Sequence, residues 1–168
     1  MDYQPPSLFH RTIRRLITTG PLLSLLPRFQ HRLDKAVLRW SGGRTTLAAL
    51  LVGAPVLMLT SVGARSGKPR TTPLLAILRG DRPGEFAVIA SNWGQARNPA
   101  WYYNLKAHPR AAVRAGDEEG AYVAREVFGE EYDAWWAAAL ETYAGYAVYR
   151  TRAGDRRIPV IVMQPDHT

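Results

Sequence analysis

Val56-Leu57-Met58-Leu59-Thr60-Ser61-Val62-Gly63-Ala64-Arg65-Ser66-Gly67-Lys68-Pro69-Arg70 carries the first decision about this fold. A short apolar run ends at a turn bracketed by glycines and loaded with cations. After Pro69 the chain returns over residues 71–78 and stops at Gly80-Asp81. Apolar run, glycine turn, apolar run is the pattern of an antiparallel strand pair.

Working outward, residues 85–91 contain Phe86, Val88 and Ile89 and predict a third strand, with Asn92-Trp93-Gly94 as a loop after it. Asn98 is a suitable N-cap and Pro99 a suitable first helical residue, so a helix is predicted from there to His108. Two more strands are predicted at 112–114 and 121–127. A long helix rich in Ala, Trp and Tyr follows from 130 to about 150, ended by Gly154-Asp155. A last strand, 158–163, has Pro159 near its start, where proline is tolerated. The order of elements shows no regular strand–helix–strand alternation. The expected class is therefore α+β, a mostly antiparallel sheet or small barrel with helices at its edges.

Residues 1–44 differ from the rest. They hold eight of the 22 Lys and Arg residues (Arg11, Arg14, Arg15, Arg28, Arg32, Lys35, Arg39, Arg44) against only Asp2 and Asp34. Leu8, Ile13, Leu16 and Ile17 among arginines suggest a short amphipathic helix over 7–18. Phe29, Leu33, Val37 and Trp40 recur at helical spacing over 27–40. The expected organisation is a basic helical arm, 1–44, on a cofactor-binding domain, 45–168. The arm either packs on its own domain with a solvated basic face or lies on an anionic membrane surface. No nucleic-acid motif accompanies the charge, so nucleic acid is not expected as a partner.

The 168 residues, 46% hydrophobic, suffice for one domain with a core. The absence of cysteine excludes disulfides and thiolate chemistry. Four scattered histidines make a metal site an unpromising reading. Residues 45–59 are apolar but broken by Gly53 and Pro55, short of the ~20 residues that span a bilayer. A cytoplasmic address is expected, with peripheral contact at the inner membrane face as the arm's alternative.

Several residues are candidates for a site. Arg65, Lys68 and Arg70 surround Gly67, and a glycine turn can offer backbone N–H groups to an anion while guanidinium forks grip phosphate. The bland alternative is a hairpin turn with solvated charges. Ser91 and Asn92 end a strand where backbone could meet a heterocycle edge. Trp101 and Asn104 share a helix face, one able to flank a ring and the other to bond a sugar-like chain, unless Trp101 is simply core. Tyr143, Tyr146 and Tyr149 repeat every three residues and either line an apolar pocket or form a core stripe.

In series, these motifs resemble the deazaflavin-dependent nitroreductase-like family, oxidoreductases that use coenzyme F420. The matching elements are Thr-Ser-x-Gly-x-Arg-Ser-Gly-x-Pro-Arg at 60–70, Pro73, Ala90-Ser91, Asn-Pro-x-Trp-Tyr-x-Asn-Leu at 98–105, Tyr-x-x-Tyr-x-x-Tyr at 143–149 and Ile-Pro-Val-Ile-Val at 158–162. The resemblance implies a split β-barrel like that of the FMN-binding oxidoreductases. It implies that Arg65, Ser66, Lys68, Arg70 and Arg97 hold the cofactor's phosphate and acidic tail. Pro73, Ser91, Asn92, Trp101 and Asn104 would hold the deazaflavin side. Tyr143, Tyr146 and Tyr149 would line the acceptor site as the catalytic candidates. The implied reaction is hydride transfer to a quinone, nitroaromatic or enone; an F420 carrier without turnover is the alternative. Three positions depart from the resemblance: Ala64 stands where relatives often carry a basic residue, Asn92 where some have lysine, and Leu75 where the quinone- and nitro-reducing members have an aromatic.

Overall fold

The computed structural model describes residues 55–167. The arm, its two expected helices and the start of the domain at 45 lie outside the described residues.

The strands are β1 (Val56–Val62), β2 (Pro69–Leu75), β3 (Ile77–Leu78), β4 (Phe86–Ile89), β5 (Arg110–Ala115), β6 (Glu118–Glu126) and β7 (Val160–Pro165). The helices are α1 (Ala100–Ala107), α2 (Gly129–Thr142) and α3 (Gly145–Ala153). All six strand pairings are antiparallel, in the order β2-β1-β5-β6-β7-β4-β3.

That order explains how the sheet closes. β2 and β3 lie at opposite ends, yet only Ala76 separates them in sequence. The segment expected as one returning strand thus pairs first with β1 and then with β4, bending at a fully buried alanine whose N–H donates to Pro55 O at 2.9 Å. A sheet whose two ends belong to one stretch of chain must curl into a barrel. Pro69 and Pro73 both fall on β2, where a missing N–H on an end strand costs no ladder bond.

The apolar patterns follow from this closure. On β1, Leu57, Leu59 and Ser61 point inward while their neighbours are more exposed, the period of two. β4 and β7 are buried on both faces. Phe86, Val88, Ile161 and Met163 join the cluster that includes Leu57, Leu59, Trp101 and Leu105. Ala87, Ile89, Val160 and Val162 join a second cluster with Trp135, Trp136, Tyr146 and Tyr149 of α2 and α3. A strand covered on both sides has no polar face, hence the unbroken run Val160-Ile161-Val162-Met163.

Three local expectations are corrected. Helix 130–150 is two helices, broken at Tyr143, which leaves the helical region at φ −149°, ψ 103°. The cause is packing: Tyr143's ring folds into the space that a Cβ on Gly145 would occupy. Asn98 does not cap α1, which starts at Ala100 after Pro99; its side chain accepts a hydrogen bond from Arg156 instead. The final strand starts at Val160, two residues late; Pro159, which has no N–H to give to the ladder, still accepts from Ala90 N–H at 2.9 Å.

Candidate functional site

The basic turn, 63–68, is braced from within. Gly63 N–H donates to Lys68 O at 2.9 Å, and Ser66 and Gly67 N–H groups both turn back to Gly63 O. Lys68 N–H faces Ser66 Oγ at 3.4 Å. Ala64 N–H donates to Asn104 Oδ1 at 3.0 Å, and Asn104 Nδ2 donates to Ser61 Oγ at 3.1 Å. The amides of Gly63, Ala64, Ser66, Gly67 and Lys68 thus bond within the protein and hold the loop's own shape. Arg65, Lys68 and Arg70 are exposed, and no carboxylate pairs with them among the described residues. Arg79, Arg82, Lys106, Arg110 and Arg125, by contrast, each sit against an acid. Arg65 and Lys68 on the turn and Arg70 at the start of β2 thus leave positive charge without a carboxylate partner among the described residues.

Asn104 and Trp101 both point inward from α1. Trp101 is 6% exposed within the barrel cluster. Asn104 spends its carbonyl and one N–H on the protein, which leaves one donor and one lone pair. Ser61, the buried partner, was missed in the sequence. Its signal was a small polar residue at the third inward position of an otherwise apolar stripe.

The chain after β4 makes a left-handed turn. Asn92 (φ 46°), Trp93 (φ 60°) and Gly94 (φ 75°) follow one another with positive φ. For the two non-glycine residues this costs of order 1–3 kcal/mol each, and it persists only where surroundings enforce it. The enforcement is visible. Asn92 Nδ2 donates to Arg97 O at 2.8 Å. Gly94 lies so close to Tyr149 O and Arg152 Cβ that a side chain there has no room. Trp93 packs edge-on against Tyr149, centroids 5.7 Å apart. Arg156, half-buried in the α3–β7 connection, donates from Nε to Gln95 O at 2.7 Å and from Nη2 to Ser91 O at 2.7 Å. Its Nη1 reaches Ala90 O at 3.4 Å and Asn98 Oδ1. Arg156 was also missed: a single arginine in a connection leaves no periodic trace. Arg97 is exposed, and Pro73 is half-buried on β2.

The three tyrosines converge because of the helix break. Tyr143 meets Tyr146 edge-on at 5.4 Å and Tyr149 at 6.0 Å, and its hydroxyl lies 3.3 Å from that of Tyr149. Tyr146 and Tyr149 are buried, and Tyr143 is half-buried. Burial pushes the Tyr146 phenol well above its ordinary range; burial, with the nearby Tyr143, does the same to Tyr149. Both stay neutral hydrogen-bond donors at any working pH. Leu75 packs against this same cluster.

Residues 30–165 match the family described as F420H(2)-dependent quinone reductase. The chain belongs to that family. An F420H(2)-dependent quinone reductase of Mycobacterium tuberculosis is 35% identical over 136 residues, 79% of this chain and 87% of its own length. Among solved structures, an F420-H2 dependent reductase is 40% identical with a TM-score of 0.59, covering 66% of this chain and 94% of that one. Another, described as a domain-swapped dimer, is 34% identical with a TM-score of 0.60, covering 86% of this chain and 100% of that one. The expected split barrel and the expected F420-dependent oxidoreductase family are thus both found. Nothing in these likenesses assigns a role to an individual residue.

Proposed function

We propose that this protein uses coenzyme F420 to reduce a quinone-type acceptor. The observation that carries the reading is that Arg65, Lys68 and Arg70, on and just after a turn clasped by Asn104, are exposed and have no carboxylate partner among the described residues. A phosphate followed by glutamate carboxylates is the anion such a turn fits, and bidentate guanidinium contacts suit it. Arg97 and Ser66 extend the same surface. Ser91, Asn92 and Pro73 supply the neighbouring wall. Trp101 and Asn104 hold α1 against β1 beneath it.

The bound cofactor supplies the hydride. The protein's own work is to bind, orient and keep the acceptor end dry. Hydride arriving on a quinone leaves negative charge on an acceptor oxygen, and one proton must follow. A neutral phenol is the right group to meet that oxygen, first as a hydrogen-bond donor. Tyr143, with Tyr149 behind it at 3.3 Å, is the pair this reading places there, and Tyr146 completes the apolar lining. Nitroaromatics and enones accept hydride by the same geometry and rank after quinones.

The arm, 1–44, carries the finer part of the proposal: its eight cations against two acids suit peripheral contact with an anionic membrane, where lipophilic quinones dissolve. No described helix is long and apolar enough to cross a bilayer.

The test is a titration with F420 at low and high salt, beside FMN, followed by steady-state oxidation of reduced F420 with quinones, nitroaromatics and enones. Salt-sensitive F420 binding with quinone turnover supports the reading. Binding without turnover would make the protein a carrier, and tight FMN binding without F420 binding would overturn it.

A further inference from the structure

We propose that Arg156 is the positioning residue that locks loop 91–98 in its left-handed form, and so fixes one wall of the cofactor groove. The second half of this statement rests on the function proposed above. The first half rests on geometry alone.

One guanidinium joins four acceptors along the loop: Ala90 O and Ser91 O at the exit of β4, Gln95 O in mid-loop and Asn98 Oδ1 at its end. These acceptors lie 58 to 66 residues before Arg156 in sequence. Three backbone carbonyls aimed at one point repel one another unless a cation sits between them. A planar fork with five N–H groups meets this arrangement, and the compact ammonium of lysine does not. The loop bends through Asn92, Trp93 and Gly94, all at positive φ, and Arg156 adds a clamp from outside the loop to the bonds within it. The clamp also captures Asn98 immediately ahead of Pro99 and α1. It therefore fixes the entry to the helix whose Asn104 braces the basic turn. Arg156 touches neither turn nor tyrosines; it acts through the loop.

The experiment compares Arg156→Gln, Arg156→Lys and the wild type by amide hydrogen exchange without ligand, and by F420 affinity against kcat. In Arg156→Gln the amides of Gly94 and Gln95, which close the loop onto Ser91 O and Asn92 O, should exchange about tenfold faster or more. Amides of the β5–β6 pair should be unchanged. The Kd for F420 should rise by about tenfold while kcat at saturation falls less than about threefold, the signature of lost preorganisation. Arg156→Lys should recover only a small part of either effect, and it carries the test if the glutamine variant does not fold. Unchanged loop exchange overturns the locking role. Faster exchange with unchanged Kd overturns the link to the groove. Full recovery by lysine overturns the fork argument. Should the wild type bind no F420, the functional reading fails, and exchange alone still decides whether Arg156 locks the loop.

Discussion

The side-chain amide of Asn104 donates to the buried hydroxyl of Ser61 across 3.1 Å, tying α1 to the inner face of β1. The same amide's oxygen accepts from Ala64 N–H, so one side chain joins a helix, a strand and the basic turn. Both hydrogen bonds link parts of the chain at least 40 residues apart.

Asn104→Ala should destabilise the protein by about 1–3 kcal/mol, because it leaves a buried hydroxyl and a backbone N–H without partners. Ser61→Ala should cost less, about 1 kcal/mol, since the amide keeps its bond to Ala64. Urea midpoints measure both. Equal costs would show that the bond to Ala64 contributes nothing.

Arg65→Ala with Arg70→Ala should leave stability within about 0.5 kcal/mol of the wild type, because both side chains are exposed. F420 affinity should fall by at least about tenfold, and its salt dependence should flatten. Unaltered affinity in the double variant would remove the anion-binding role.

Gly145→Ala should displace the Tyr143 ring, which occupies the space of the added methyl. Overpacking of this kind costs about 1–3 kcal/mol. Quinone turnover should drop while F420 affinity holds, because the Tyr143–Tyr149 hydroxyl contact is lost and the basic turn is untouched. A fall in F420 affinity without a change in turnover would place the tyrosines elsewhere in the mechanism.

Alkaline pH should unfold the protein through its buried phenols. Burial first, then the Glu126 carboxylate that its hydroxyl contacts, raises the Tyr102 phenol to about 12. Tyr146 and Tyr149 are also raised. An unfolded tyrosine titrates near ~10, so above that pH the unfolded chain binds fewer protons than the native one and stability falls as pH rises. Their contribution is complete below about pH 10. Urea midpoints across the alkaline range should decline less steeply in Tyr149→Phe than in the wild type. Parallel declines would exclude this linkage.

Much of the fold was legible because its signals are short-range. The apolar run 56–59, the glycine turn at 63–67 and the apolar run within 158–163 each announce themselves within a few residues. The helix break at Tyr143 was hidden, since Ala, Trp and Tyr continue the helical pattern on both sides. What ends the helix is a ring folding over Gly145, a contact no propensity reports. Asn98 was misread for a similar reason: Asn before Pro is a good cap locally, but Arg156 claims its side chain from 58 residues away.

By itself the sequence determined the mostly antiparallel α+β class, the charge surplus, the absence of thiol chemistry and the motifs whose series resembles a deazaflavin-dependent family. Tertiary structure alone decided that Ala76 closes the barrel, that five of the turn's amides bond within the protein, and that Asn104 and Arg156 each bond to segments far away in sequence. The division has one physical cause. Periodicity and turn chemistry act between near neighbours and so are written in sequence. A hydrogen bond from one guanidinium to four distant acceptors exists only after the chain has folded.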